Sequence, residues 1–479
     1  MPLPSTAIPV SPGATPAKAP AAPSPRRVKF VTLGCAKNEV DTDRMRTLVD
    51  ACPHLQTVEE ERGADVVVVN TCSFLMSAVE EGVECTLQLL DERLQDGIQA
   101  PVVMTGCIPS RYGEDIEREM PEVAAFVPVD EEDGIASVLC RVLGIDPRAE
   151  AAAAPAPEVL RTVRAATAYV KVSDGCDRYC SFCAIPYIRG HYYSRPAEVV
   201  LEEARHLVEG GVREVVLIGQ DTGIWGHDLP GRPTLASLIR QVAEVVRPVG
   251  GWVRVLYLQP EGLTDELVAT IRDVPEMVKY IDIPLQHSSA SCLARMNRTG
   301  STAEFLPMVA RLRAEVPGIT LRTTAMAGFP GETDEEFDEL CSFLERAEFD
   351  YTAVFAYSQE DGTAAAELPD QVPDDVKVER AQRLQDLADT YGFASAAARV
   401  GRTYPVLVDG TETDEDGNVE LIGRAPFQAP DSDGVVHLGQ ADAAMGDIVQ
   451  VHIDDSACYE LFGTVMAPGG KAAGAEGDE

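Results

Sequence analysis

The most informative segment of the chain is Asp174-Gly175-Cys176-Asp177-Arg178-Tyr179-Cys180-Ser181-Phe182-Cys183, which directly follows an apolar strand predicted at 169–173. Its cysteines have the spacing C-x3-C-x2-C, and three thiolates on one loop can bind three irons of a four-iron cluster while the fourth iron stays open. A catalytic metal centre needs such an open position, whereas a structural site is closed by a fourth protein ligand. Because no nearby fourth cysteine or suitably placed histidine completes a structural site, the segment predicts a catalytic iron–sulfur site. A zinc site with a distant ligand and chance clustering are the alternatives.

This loop lies in a series of six predicted β/α units. The strands are predicted at 169–173, 214–218, 253–258, 280–285, 320–326 and 351–357, with helices such as 196–209, 263–272 and 334–347 between them. Alternation of this kind is typical of a parallel sheet in an α/β fold. Six units favour an incomplete (β/α)6 barrel over a closed eightfold one, with the active site at the carboxyl ends of the strands. A long helix predicted from about 374 to 399 ends this part.

Three more cysteines follow three N-terminal strands. Strands predicted at 28–33, 65–69 and 101–104 alternate with helices predicted at 40–51, 76–95 and 111–119, and Cys35, Cys72 and Cys107 each come just after a strand. Carboxyl ends of parallel strands share one edge of the sheet, so these sulfurs can converge into a second metal site. The small neighbours Gly34 and Gly106 would let the backbone approach it closely. The other six cysteines are interpreted as small buried apolar residues: Cys52, Cys85, Cys140, Cys292, Cys341 and Cys458.

The expected organisation is a sequence of three domains with a tail at each end. From residue 404 onward, short strands predicted at 405–408, 419–422, 435–438, 448–453 and 461–465 indicate a small antiparallel β-barrel. The predicted boundaries are a disordered Pro- and Ala-rich tail (1–26), an N-terminal iron–sulfur domain (27–145), a linker (146–160), the barrel domain (161–399), the small β-barrel (400–468) and a disordered tail (469–479).

Composition limits the class of partner. The 479 residues carry a formal charge of −38, and a field that negative repels phosphate backbones, although solubility or a salt-adapted host would explain it equally well. No apolar run is long enough to span a membrane, and the N-terminal tail has no basic start followed by an apolar core. We therefore expect a cytoplasmic protein, and spaced cysteines in that reducing compartment indicate metal binding or catalysis more often than disulfides.

Several motifs resemble those of the radical SAM methylthiotransferases, from about Val28 to Val465. They are Leu33-Gly34-Cys35-Ala36-Lys37-Asn38, Asn70-Thr71-Cys72-Ser73-Phe74, Thr105-Gly106-Cys107 and Cys183-Ala184-Ile185-Pro186-Tyr187-Ile188-Arg189-Gly190, together with the aromatic Phe182 before the last loop cysteine. The resemblance implies two 4Fe-4S clusters, a TRAM-like C-terminal barrel and the replacement of a C–H bond by C–S–CH3. It also implies that S-adenosylmethionine binds the open iron and, after receiving one electron, yields a deoxyadenosyl radical that abstracts hydrogen.

The resemblance further suggests which barrel residues contact S-adenosylmethionine. They are Gln220, Asp221, Gln286, Ser288 and Arg322, and Cys176, Cys180 and Cys183 are the expected catalytic cluster ligands. Asp221 departs from the family, in which many members have glutamate at this position, so its role is open. An electron donor such as flavodoxin or ferredoxin is expected as a partner.

Family members modify either an adenosine in tRNA, as in tRNA-2-methylthio-N6-dimethylallyladenosine synthases, or an aspartate of ribosomal protein S-twelve at its β-carbon. The motif that starts at Gly34-Cys35-Ala36-Lys37 resembles the protein-modifying branch, since the tRNA branch typically has Gln and Met after this cysteine. From residue 401 to the end, three basic residues face sixteen acidic ones, which suits a basic ribosomal protein and no free nucleic acid. The acidic turn at Asp414, Glu415 and Asp416 is the expected docking surface. A ribosome- or RNA-binding module with structural metal, and a radical SAM enzyme with another product, are the alternatives.

Overall fold

The computed structural model describes residues 24–95, 101–145, 160–163, 165–413, 417–467 and 471–472. Three sequence-based expectations therefore lie almost wholly outside the described residues: the two tails, the linker, and the acidic turn at Asp414, Glu415 and Asp416. Among the described helices, none combines the length and the apolar character that a membrane span requires.

The N-terminal part is a five-stranded parallel sheet in the order β2-β1-β3-β4-β5. Its strands are β1 (Arg26–Thr32), β2 (Leu55–Val58), β3 (Val66–Thr71), β4 (Val102–Gly106) and β5 (Ala125–Pro128). Its helices are α1 (Ala36–Asp50), α2 (Met76–Gln95), α3 (Cys107–Tyr112), α4 (Glu114–Glu119) and α5 (Ile135–Val142). The central strand β3 is buried along its whole length, as expected for a parallel strand covered on both faces.

The structure adds details to the predicted N-terminal domain. The two edge strands, β2 and β5, are only four residues long, and their weak apolar pattern did not predict them. The helix predicted at 111–119 is in fact two helices, because Gly113 adopts φ +50° between α3 and α4. These differences leave the three predicted strands side by side at the centre of the sheet.

The central part confirms the incomplete barrel. Its strands are β6 (Thr167–Lys171), β7 (Ser173–Asp174), β8 (Tyr193–Ser194), β9 (Glu214–Ile218), β10 (Trp252–Val255), β11 (Tyr280–Gln286), β12 (Thr320–Ala327) and β13 (Tyr351–Ala356). Its helices are α6 (Ile185–Arg189), α7 (Ala197–Glu209), α8 (Leu235–Val246), α9 (Asp265–Asp273), α10 (Ala290–Arg295), α11 (Thr302–Glu315), α12 (Asp334–Ala347) and α13 (Asp374–Ala397). Six of these strands form two parallel sheets, β6-β9-β10 and β11-β12-β13, which a bridge between Val253 and Met277 connects. The short strands β7 and β8 pair with each other in antiparallel orientation.

Helix α1 of the N-terminal part packs against the barrel. Its residue Val40 is buried in one apolar cluster with barrel residues such as Tyr169, Val216 and Tyr280. Two ion pairs reinforce this contact: Asp41 of α1 binds Lys171 of β6, and Asp43 binds Arg161. The cysteine that precedes α1 is therefore held close to the barrel.

The C-terminal part is a small closed barrel. Its strands are β14 (Thr403–Thr413), β15 (Val419–Arg424), β16 (Val436–Gly439), β17 (Ile448–Ala457), β18 (Glu460–Ala467) and β19 (Lys471–Ala472). The first five pair in the order β16-β15-β14-β17-β18, and a parallel pairing of β16 with β18 closes the barrel. The predicted antiparallel barrel is thus confirmed except for this closing pair.

A buried ion-pair network attaches the small barrel to the (β/α)6 barrel. Glu214 of β9 is fully buried and binds both Arg254 of β10 and Arg424 of β15, each at 2.7 Å. Burial opposes its ionisation, but the two guanidinium groups lower the pKa of Glu214 to about 2. Removing one partner of such a buried pair would leave an uncompensated buried charge, which is strongly destabilising. The contact between the two barrels therefore depends on all three residues.

Candidate metal centres at the strand ends

The loop trio, Cys176, Cys180 and Cys183, lies between β7 and α6. Gly175 enters this loop at φ +73°, and a Cβ there would lie 2.1 Å from the carbonyl oxygen of His191. The Cys176 amide donates to the carbonyl of Gly190 at 3.2 Å. On the far side, the Asn297 side chain donates to two loop carbonyls, those of residues 178 and 179. The loop conformation is therefore set by backbone contacts, and it directs three cysteines to one place.

The thiols of the loop trio are half-buried and influence one another. Burial raises the pKa of Cys183 to about 12, and the neighbouring Cys180 and Cys176 contribute to the rise. Arg298 lies nearby, with its Nη1 atom 3.9 Å from the Cys180 sulfur. All three cysteines are free of disulfide bonds. A bound metal would deprotonate such thiols, because coordination outweighs the cost of burying a thiolate.

The strand-end trio, Cys35, Cys72 and Cys107, comes together at one edge of the N-terminal sheet. Cys35 caps α1, Cys72 follows β3, and Cys107 begins α3 directly after β4. Gly34 adopts φ +96°, and a Cβ on it would lie 2.4 Å from the Cys72 Cβ and 3.2 Å from its sulfur. Burial raises the pKa of Cys107 to about 12, while Arg189 opposes that rise.

The spacing of both trios argues against a single bound ion. Neither trio has all three of its sulfurs within 4.8 Å of one another. Among the described residues, the group of three potential ligands that meets this distance is His287, Cys292 and Glu332. Sulfurs around one tetrahedral zinc lie only about 3.8 Å apart, given a Zn–S distance near 2.3 Å. The trios thus fit a larger, multi-iron centre better than zinc.

Two buried asparagines, which sequence reasoning did not single out, hold the strand-end trio. The Asn38 side chain donates to the carbonyl of Thr71 at 2.8 Å and to the Asn70 amide oxygen at 3.2 Å, and its own oxygen accepts from the Cys35 thiol at 3.4 Å. Asn70 in turn donates to the Asn38 carbonyl at 2.9 Å. Both asparagines lie inside motifs that resemble the family, Asn38 close to Cys35 and Asn70 close to Cys72. A polar residue close to a predicted metal ligand was therefore the signal that could have identified them.

A buried network of charges joins the two trios. Arg189 donates to the Cys107 sulfur at 3.8 Å and binds Asp41 at 2.9 Å and Asp174 at 3.2 Å. Lys171 binds the same two carboxylates, at 2.5 Å and 2.7 Å. Burial opposes the ionisation of Asp174, yet Lys171 and Arg189 hold the pKa of this carboxyl group below its ordinary value. Two cations thus neutralise two anions between the centres.

A fifth group of this network is Glu132, which is also buried. Burial and the neighbouring Asp41 raise the pKa of Glu132 well above its ordinary value, while Lys171 and Arg189 oppose the rise. The neutral form of this carboxyl group is therefore favoured more than it would be in water.

Four of the five predicted cofactor contacts lie at the carboxyl ends of barrel strands. Gln220 and Asp221 follow β9, while Gln286 ends β11 and Ser288 lies just beyond it. Asp221 accepts from the Arg178 guanidinium at 2.5 Å through one oxygen, and Gln220 donates to Asp174 at 2.8 Å. Gln286 adopts φ +72°, a strained backbone conformation of the kind that is concentrated at functional sites.

Unpartnered polar atoms accumulate at the same strand ends. The other oxygen of Asp221, the amide oxygen of Gln220 and the hydroxyls of Ser173 and Ser288 are buried and form no hydrogen bond with the described residues. Buried polar atoms normally have partners, so these atoms indicate a polar ligand. The amino, carboxylate and hydroxyl groups of S-adenosylmethionine are of the required kind.

The fifth predicted contact, Arg322, lies elsewhere. It is the third residue of β12 and binds Asp282 at 3.3 Å and Asp433, from the small barrel, at 3.2 Å. The structure therefore places it near the start of its strand, toward the C-terminal part. It does not join the other four residues.

The remaining six cysteines differ in exposure. Cys140, Cys292 and Cys341 are buried, in agreement with the expectation, and Cys52 and Cys85 are half-buried. Cys52 packs against the apolar cluster that contains Cys140, a neighbour that the sequence did not suggest. Cys458 is exposed in a turn at φ +56°, so the interpretation of Cys458 as a buried apolar residue is wrong.

Comparison with family models matches three parts of the chain. Residues 170–344 match the radical SAM superfamily, residues 27–128 match the uncharacterized protein family UPF0004, and residues 400–466 match the TRAM domain. The matches coincide with the (β/α)6 barrel, the N-terminal sheet and the small closed barrel, respectively.

Curated relatives match the chain over most of its length. The ribosomal protein uS12 methylthiotransferase RimO of Geobacter sulfurreducens is 42% identical over 450 residues, which cover 92% of this chain and 99% of the relative. The protein of the same name from Geotalea uraniireducens is 41% identical, with 92% and 98% covered. Among solved structures, the radical S-adenosylmethionine methyltransferase TsrM from Kitasatospora setae, with cobalamin and a 4Fe-4S cluster bound, aligns with a TM-score of 0.51 at 15% identity over 68% of this chain and 71% of that one. This last likeness concerns the fold alone.

Proposed function

The chain belongs to the RimO-type radical SAM methylthiotransferases, and from this membership we propose that it inserts sulfur and a methyl group at the β-carbon of an aspartate in ribosomal protein uS12. The family uses S-adenosylmethionine and two 4Fe-4S clusters. One observation carries the proposal for this chain: two separate cysteine trios lie on either side of one buried charge network. One centre would generate the radical, and the other would supply the sulfur for the C–S bond.

In this proposal the loop trio would hold the cluster that binds S-adenosylmethionine. When bound there, this group supplies the electron that cleaves S-adenosylmethionine and so the radical that removes hydrogen from the target carbon. The protein's own part is to fix the loop through Gly175 and Asn297 and to keep the site in the barrel mouth. The strand-end trio would hold the second cluster, through which sulfur passes.

The residues at the barrel strand ends would bind and orient S-adenosylmethionine. Asp221 is suited to the amino group, since Arg178 fixes one of its oxygens and leaves the other free. Gln220 is oriented by Asp174 and also has a free oxygen, and Ser288 offers an unpartnered hydroxyl. The Asp221 and Gln220 side chains are each held by a neighbour in the described structure, which favours a preorganised site.

The substrate class follows from charge as well as from family. The chain carries a formal charge of −38, and its C-terminal part is strongly acidic. Such a surface favours a ribosomal protein rich in Lys and Arg and disfavours tRNA. We further propose a cytoplasmic location. Because the reaction consumes electrons, we also propose a low-potential electron donor such as flavodoxin or ferredoxin.

The test is incubation of the anaerobically iron-loaded protein with S-adenosylmethionine, a strong reductant and a uS12 peptide that contains the target aspartate. Mass spectrometry should show a mass gain of one sulfur atom and one CH2 unit on that aspartate. A parallel incubation with unmodified tRNA should give no methylthioadenosine. Modified tRNA with unmodified peptide would overturn the proposal.

A further inference from the structure

Lys37 is a buried lysine whose ammonium group has no oxygen partner within the described part of the chain. It lies in the first turn of α1, two residues after Cys35, and is 9% exposed. Its Nζ atom lies 3.3 Å from the ring centroid of Tyr257, which is a cation–π contact. Such a contact attracts the cation to the ring face but supplies no anion. A buried charge without an anion is costly, so this arrangement indicates a missing anionic partner.

The other lysines with described side chains make the contrast clear. Each of them has an oxygen partner: Lys29 has the Glu59 carbonyl, Lys171 has Asp41 and Asp174, Lys279 has the Pro317 carbonyl, and Lys377 has Asp374. Lys377 is the closest match to Lys37, since it too is buried and lies 5.4 Å from a tyrosine ring, that of Tyr357. The fold thus satisfies a similar lysine elsewhere with a carboxylate, and it leaves Lys37 without one.

Nearby arginines are already engaged. Arg178 binds Asp221 and Glu261, and Arg189 binds Asp41 and Asp174. Arg298 donates to a glutamine side chain at 2.6 Å and to a backbone carbonyl at 2.9 Å. Among the described residues named here, Lys37 is therefore a cation that remains available to an incoming anion.

The position of Lys37 links both centres. Its neighbour Cys35 belongs to the strand-end trio, whereas Tyr257 lies just after β10 at the carboxyl end of the barrel. The Tyr257 carbonyl accepts from the amide of Thr222, next to Asp221, and the Tyr257 amide donates to Asp282. The ammonium group thus lies where the first cysteine site meets the barrel mouth.

We propose that Lys37 binds the side-chain carboxylate of the substrate aspartate, an inference that rests on the proposed function. The reacting β-carbon is bonded directly to that carboxylate carbon, so an ion pair with Lys37 positions the carbon between the two centres. Correct placement of reacting atoms is a large part of catalysis. Adenosine has no carboxylate next to its reacting carbon, so this contact would position an aspartate and could not position an adenosine in the same way.

The test measures binding of two labelled uS12 peptides, one with the target aspartate and one with asparagine in its place. The protein is anaerobically iron-loaded, and S-adenosylmethionine is present without reductant, so that nothing turns over. A charge-assisted hydrogen bond predicts that the wild-type protein binds the asparagine peptide about 10- to 100-fold more weakly. Lys37→Met keeps the side-chain length and removes the charge, so it should bind both peptides with the same weak affinity. Lys37→Arg should recover part of the preference.

Two controls separate this role from others. Lys377→Met removes the matched lysine and should keep the full preference for aspartate. S-adenosylmethionine cleavage without peptide should be unchanged in Lys37→Met; its loss would show that Lys37 serves the carboxylate of S-adenosylmethionine and would overturn the inference. Equal binding of both peptides by the wild-type protein would also overturn it, even if Lys37→Met failed to fold. Modification of tRNA in place of the peptide would instead contradict the proposed function.

Discussion

The loop trio spans eight consecutive residues of one loop, whereas the strand-end trio is collected from three strands of a sheet. The first is held by local backbone contacts around Gly175, and the second by parallel strand pairing and by the buried amides of Asn38 and Asn70. A local site tolerates change elsewhere in its domain. A site made by topology depends on the packing of the whole sheet, so the two trios should respond differently to the same kind of mutation.

The largest effect should come from the loop trio. Changing Cys176, Cys180 and Cys183 together to Ala should abolish S-adenosylmethionine cleavage and methylthiolation, because no ligands remain for the radical-forming centre. Iron should fall from about eight atoms to about four per chain, as expected for one of two four-iron clusters. Iron analysis and chromatography of 5′-deoxyadenosine check this. Complete iron loss would contradict two independent sites, and Cys85→Ala, which changes a cysteine outside both trios, should leave the iron content alone.

This prediction also shows what the sequence reveals. The loop trio follows from spacing alone, because its ligands are close in sequence. The strand-end trio follows from one topological rule, that parallel strands end at a common edge, and the order β1-β3-β4 agrees with it.

Contacts between distant segments escaped sequence reasoning. Arg189 reaches Cys107 across 82 residues, and Arg322 meets Asp433 across 111 residues, so no local pattern reveals either contact. The strand predicted at 320–326 already places Arg322 near its start, so the expectation that Arg322 contacts S-adenosylmethionine rested on the resemblance alone.

Glycine substitutions should affect one site at a time. A Cβ at Gly106 would lie 2.2 Å from the Asn70 amide oxygen, and a Cβ at Gly175 would lie 2.1 Å from the His191 carbonyl. Both glycines also have positive φ, which costs an alanine about 1–2 kcal/mol. Gly106→Ala should lose about half of the iron and should form no methylthio product, but it should keep S-adenosylmethionine cleavage. Gly175→Ala should also lose about half of the iron and the product, and it should lose S-adenosylmethionine cleavage too.

The control for these variants is Gly318→Ala. Gly318 has φ +77°, but no atom lies within 4 Å of the position that an alanine Cβ would take there, so this variant carries the backbone cost without the clash. Its iron content should equal that of the wild-type protein. Equal iron loss from all three alanine variants would show that backbone strain, and not the packing around each trio, is responsible.

The smallest effect should come from the asparagine side chains that hold the two trios, Asn38 at the strand-end trio and Asn297 at the loop trio. Asn38→Ala leaves a buried carbonyl and amide unpaired and should lower the free energy of unfolding by about 1–3 kcal/mol. Asn297 is exposed, so Asn297→Ala should cost only about 0.5–1 kcal/mol. Denaturant unfolding gives these values, and the rate of iron loss to a chelator should rise at the strand-end trio only in Asn38→Ala. A larger loss for Asn297→Ala would reverse the comparison.

The two trios should do different work in one reaction, and the variant with Cys35, Cys72 and Cys107 all changed to Ala separates their roles. The measurement is mass spectrometry of the uS12 peptide together with chromatography of 5′-deoxyadenosine from the same reaction. This variant should still cleave S-adenosylmethionine but attach no methylthio group, because it keeps the radical site and lacks the sulfur site. Normal methylthiolation by this variant would show that the strand-end trio is not the sulfur site.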